Sequence, residues 1–133
     1  MTRVFVDSSA ILALLNPDDP QHAPARDAFQ RLSSASATLV TTSYVLAELY
    51  ALIYTRMGQE AVQRFRQAFT PLLDVVWVDR ELHEAGLDLM TARGDRPLSL
   101  VDAVSFVTIR SRKLDGAFAC DALFREDGIE TVP

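Results

Sequence analysis

The sequence predicts an α/β fold in which a central parallel sheet is covered on both faces by helices. Short β-branched and aromatic runs alternate with longer segments of helical periodicity along the whole chain. Strands separated by helices imply crossover connections, and these build parallel sheets. Size is the third observation: 133 residues, 49% hydrophobic and 23% charged, suit one domain with one continuous core.

The elements follow in order. Arg3 to Val6 is a short apolar run ending at Asp7, and Ser8 to Leu15 reads as a helix stopped by Asn16-Pro17. Residues 16 to 24 carry three prolines and two aspartates, the composition of a surface loop, and helical spacing resumes over Ala25 to Leu32. Thr38 to Thr41 is the second strand. Ser43 to Arg56 is a long helix with few polar positions, and Gly58 separates it from an amphipathic helix over Gln59 to Phe69, near whose end stands Pro71. Val75 to Val78 is the third strand. Asp79 caps a helix to about Ala92, with Gly94 and Pro97 marking its exit, and Ser99 opens a helix to about Lys113. Gly116 to Cys120 is a fourth strand, Ala122 to Glu126 a turn or two of helix, and a last strand lies near Thr131.

Composition narrows the function classes. One cysteine, Cys120, cannot form an internal disulfide, and a reducing cytoplasm is the expected compartment. The N-terminal apolar run is interrupted by Asp7 and lacks a cleavage-site pattern, so no signal peptide is expected. No stretch approaches the roughly 18 apolar residues of a membrane span. A net charge of -5 argues against nonspecific capture of nucleic acid by a basic surface. For a polyanionic substrate, cations or local basic patches must offset the acids.

Four carboxylates stand in otherwise apolar phrases: Asp7 in VFVDSSAILALL, Glu48 in SYVLAELYALIY, Asp102 in LSLVDAVSFVTI and Asp121 in AFACDALF. An ionised carboxylate in such surroundings is costly unless a positive group or several donors meet it. The nearest basic residues, Arg3, Arg56, Arg110 and Arg125, are several positions away, so a shared divalent cation is the economical hypothesis. Asp7 and Asp121 fall just after strands, where parallel sheets gather function. Each has a plainer reading: Asp7 and Asp121 as helix caps, and Asp102 as part of the capping box Ser99-Leu-Val-Asp102. Glu48, in the interior of a helix, serves neither terminus, and it carries the most weight.

The order and spacing of these phrases, with FACDALFREDGIETV at the end, resemble the PIN-domain family over nearly the whole chain, especially the small VapC-like ribonuclease toxins of prokaryotic toxin-antitoxin pairs. The resemblance implies a three-layer α/β/α sandwich, an acidic Mg²⁺ or Mn²⁺ site, and cleavage of RNA phosphodiester bonds. It makes Asp7 the metal ligand of the first strand and Glu48 that of the helix. Asp102 would complete the inner shell or hold its water, and Asp121 would bind a second ion or orient waters. Ser8 and Ser9 stand where the family often has a hydroxyl, which either bonds a metal-bound water or helps cap the helix; Ser105, on the helical face of Asp102, is a further candidate. The resemblance also implies an antitoxin whose peptide blocks the acidic site.

An all-oxygen donor set suits Mg²⁺ or Mn²⁺ better than zinc. His22 and His83 lack metal-site spacing and are expected at the surface; Cys120 is expected to be a small buried residue, and Trp77 and Phe106 to be core residues. Arg93, Arg96, Arg110, Arg112 and Lys113 bracket the Asp102 helix and either hold RNA phosphates or are ordinary helix-end charges. The apolar helices around Leu46 to Tyr54 and Gln59 to Phe69 suggest a homodimer. Two other functions stay open. A receiver- or phosphatase-like domain also places Asp after its first strand, but here the D-x-D pattern and a strand-end Lys are lacking. A catalytically inactive binding module has no support while all four acids are present.

Overall fold

The computed structural model describes residues 1–94 and 96–133. Five strands form one sheet in the order β3-β2-β1-β4-β5, every pairing parallel: β1 (Arg3–Val6), β2 (Thr38–Thr42), β3 (Leu73–Val76), β4 (Gly116–Phe118) and β5 (Thr131–Val132). The helices are α1 (Ser8–Leu15), α2 (His22–Ser34), α3 (Ser43–Met57), α4 (Gln59–Ala68), α5 (Arg80–Ala92), α6 (Leu100–Ser111) and α7 (Leu123–Glu126). The central strand β1 takes β2 on one side and β4 on the other, with Phe5 opposite Val40 and Ala117.

Alternation along β1 sorts two cores. Val4 and Val6 pack with Ile11, Ala28, Leu49, Ile53 and Phe65 from α1 to α4. Phe5 packs on the other face with Phe106, Ile109 and Phe124 from α6 and α7. The result is the expected three-layer α/β/α sandwich. Gly86 lets α5 lie close on α6, since a Cβ there would stand 2.5 Å from Val104 Cγ2.

Several local expectations are corrected. The third strand runs Leu73–Val76 after a 3-10 turn at Thr70–Leu72, so Trp77 lies beyond it and is 74% exposed, not in the core. Its partner strand ends at Thr42, opposite Val76, and the next available N–H, from Val78, is taken by Ser43 Oγ at 2.9 Å. Helix α2 starts at His22 and holds Pro24 in its first turn, where a missing N–H costs nothing. The histidines are half-buried: His22 Nδ1 bonds Ala13 O at 2.9 Å, and His83 Nδ1 bonds the Tyr44 hydroxyl at 2.6 Å. β4 stops at Phe118, so strand alternation does not set the direction of Cys120, which is half-buried against the α1–α4 core. Phe106 is fully buried, as expected.

Candidate metal centre

Asp7 extends the sheet by one residue, its N–H donating to Phe118 O at 3.0 Å, and its side chain then caps α1. The cap is real, yet it uses one oxygen: Oδ2 accepts from Ser9 N at 3.1 Å and Ser9 Oγ at 2.5 Å. Asp7 is 3% exposed, and among the described residues no buried side-chain oxygen lacks a partner. The Asp7 Oδ1 accepts no hydrogen bond among the described residues.

Asp121 follows β4, the direct neighbour of β1. Its Oδ1 accepts from Leu123 N at 3.0 Å, while its own N–H and that of Cys120 donate to Ser9 Oγ at 3.2 and 3.0 Å. One hydroxyl thus ties the end of β1 to the end of β4. Glu48 comes from the second turn of α3, half-buried, with Oε1 accepting from Ser8 Oγ at 2.9 Å. Asp102 lies in the first turn of α6, where its N–H donates to Ser99 Oγ at 3.1 Å. The return bond of a capping box, from Ser99 N–H to the Asp102 carboxylate, is not formed. The charges of Asp121 and Glu48 both act on that carboxylate.

The electrostatics join the acids. Burial pushes the Asp7 pKa up to about 6; the Ser9 bonds oppose this, and the charges of Asp102 and Asp121 add to it. Burial also raises Asp102, the Ser99 hydroxyl pulls it back, and Asp121 and Glu48 raise it again. Among the described residues, the charges that act on these two acids are those of other carboxylates. The donor set is all oxygen, negatively charged and short of cations, which fits Mg²⁺ or Mn²⁺. Among the described residues no three side chains close into a ready-made chelate as they stand. Mg²⁺ does not require one, since it keeps several waters and is commonly held by one or two carboxylates.

The other candidate residues are placed differently. Ser105 is buried and gives its proton to Val101 O at 2.8 Å, with no bond to any of the four acids. Arg112 O accepts from Arg3 Nη1, at the start of β1, and Asp115 N donates to Arg3 O. The C-terminal end of α6, with Arg110, Arg112 and Lys113, thus lies at the amino edge of the sheet, about 15 Å along the helix from Asp102. Arg93 and Arg110 both pair with Asp127, whose side chain is 7% exposed, and both guanidiniums lie over the Phe106 ring. Arg96 is exposed.

Two charges that act on Cys120 were not among the candidate site residues of the sequence. Burial raises the Cys120 thiol, Asp19 and Asp7 raise it further, and Arg125 lowers it. The only signal for Asp19 was its loop of prolines and aspartates. Arg125 stands one turn beyond Asp121, its Nη1 3.3 Å from Thr131 Oγ1.

Comparison with known proteins places this geometry in a family. Residues 4–127 match the PIN domain. The chain is 29% identical over 130 residues to the 23S rRNA-specific endonuclease VapC20 of Mycobacterium tuberculosis, covering 97% of each. It is 36% identical over 58 residues to Ribonuclease VapC26 of the same organism, 44% of this chain and 41% of that one. The crystal structure of VapC20, described as a Sarcin-Ricin loop cleaving toxin, superposes with a TM-score of 0.81 over 98% of this chain and 99% of that one. VapBC2 from Rickettsia felis, bound to a DNA fragment from its promoter, shares the fold at 13% identity, with a TM-score of 0.75 over 99% and 100% of the two chains.

Proposed function

The chain belongs to the PIN-domain family, and from that premise we propose that it is a metal-dependent endoribonuclease, the VapC-like toxin of a toxin-antitoxin pair. One observation carries the reading: Asp7, Glu48, Asp102 and Asp121 come from four separate elements, the charges of Asp102 and Asp121 act on Asp7, and those of Asp121 and Glu48 act on Asp102. The near full-length likeness to a ribosomal RNA endonuclease supports it.

When bound, Mg²⁺ or Mn²⁺ supplies Lewis acidity, neutralising charge on the scissile phosphate and activating the attacking water. Asp7 offers Oδ1, and Glu48 offers the oxygen that Ser8 does not hold. Asp102 and Asp121 would orient waters or take a second ion. Arg125 and Arg96 hold the RNA backbone beside the cleft, as phosphate contacts position a substrate without reading its sequence. Arg93 and Arg110 are engaged with Asp127.

The partners follow the same reading. An antitoxin peptide closes the cleft, and a second copy of the chain covers Tyr54 and Met57, which stay exposed on α3 while Leu46, Leu49 and Ile53 are used in the chain's own core.

Incubating the purified chain with a mixed RNA pool tests the function. Cleavage with Mg²⁺ or Mn²⁺, stopped by a chelator and lost in Asp7→Asn and Glu48→Gln, is expected; full activity in either folded variant contradicts the assignment.

A further inference from the structure

The serine after Asp7 has no task that helix formation explains. Asp7 is the N-cap of α1, so Ser8 stands at the first helical position and caps nothing. It is nonetheless 7% exposed, and its hydroxyl reaches 40 residues along the chain to Glu48 Oε1 at 2.9 Å. A bond from a hydroxyl to an ionised carboxylate is short and strong where solvent is limited.

Glu48 has more side-chain torsions than any of the three aspartates and is the acid for which a fixed direction matters most. Without a partner its carboxylate is free to swing with the solvent on α3. The Ser8 bond holds Oε1, and Oε2 accepts no hydrogen bond among the described residues.

We propose that Ser8 is a positioning residue of the acidic site: it fixes one oxygen of Glu48 so that the other is presented to a divalent cation. The inference rests on the metal-site reading above. It differs from a hydroxyl that bonds a metal-bound water or merely caps a helix, because the group Ser8 holds is the carboxylate itself. Groups that orient a ligand from behind commonly change metal affinity by about 10- to 100-fold.

The test is a double-mutant cycle in Mn²⁺ affinity, measured on the full chain by calorimetry without RNA. Ser8→Ala is expected to weaken Mn²⁺ binding about tenfold in the wild-type background, to add little once Glu48→Gln is present, and to be largely rescued by Ser8→Thr. Thermal melting of each variant establishes that it is folded. If Ser8→Ala binds Mn²⁺ as the wild type does, or loses the same factor in both backgrounds, Ser8 is only a tie between α1 and α3 and the inference fails while the metal site stands. A folded Ser8→Thr that binds as poorly as Ser8→Ala also overturns it. A wild-type chain that takes up no Mn²⁺ removes the metal reading and this inference together.

Discussion

Ser9 donates its hydroxyl proton to Asp7 at 2.5 Å while receiving the N–H groups of Cys120 and Asp121. The serine fixes where the Asp7 carboxylate sits, but it supplies no positive charge. Burial therefore still dominates, and the Asp7 pKa rises from 3.8 to about 6. The fold holds an acid that it disfavours as an anion.

Replacing that acid by its neutral isostere should thus stabilise the metal-free protein. Asn keeps a carbonyl oxygen for Ser9 and drops the buried charge, a gain on the order of 3 kcal/mol at pH 8 from the shifted ionisation. Thermal melting in chelator checks this: Asp7→Asn is expected to melt several degrees above the wild type while losing RNA cleavage.

The same shift gives a pH dependence. A raised folded-state pKa means that the native chain binds the Asp7 proton more tightly than the unfolded chain does, so this contribution is full below pH 3.8 and disappears as pH rises through about 6. Burial and the neighbouring acids raise Asp102 as well, with the same sign. Melting in chelator should show stability falling between about pH 4 and 6 from Asp7, with Asp102 adding in the same direction. Added Mn²⁺ should restore stability most at the upper end of that range, where it competes with the fewest protons; a metal response independent of pH would contradict the coupling.

Asp127 governs stability elsewhere. It receives Arg93 from the end of α5 and Arg110 from α6, both stacked on Phe106, and joins the segment after α7 to that helical layer. Its removal leaves two guanidiniums without their anion, one of them largely buried, at a cost of about 2–4 kcal/mol. Urea unfolding of Asp127→Ala should show this loss, with Mn²⁺ affinity little changed because the clamp stands away from the acids.

What was legible in the sequence was local. The β-branched run ending at Asp7 and the Ser99 cap declare themselves through neighbouring residues, and Glu48 stands out because its helix offers few other polar positions. Trp77 was misplaced because strand length depends on the partner strand, which ends at Thr42. Arg93 and Arg110 read as free cations because their anion lies 34 and 17 residues away, and no local pattern announces such a pair. Ser8 and Ser9 drew notice as hydroxyls near an acid, but that one holds Glu48 and the other braces β1 to β4 emerges only once the strands are side by side.

Anomalous diffraction from a crystal of this chain soaked in Mn²⁺ tests the account most directly. An ion coordinated by Asp7 together with at least one of Glu48, Asp102 and Asp121 is the expected result. Strong manganese peaks elsewhere, with none touching Asp7, would contradict it.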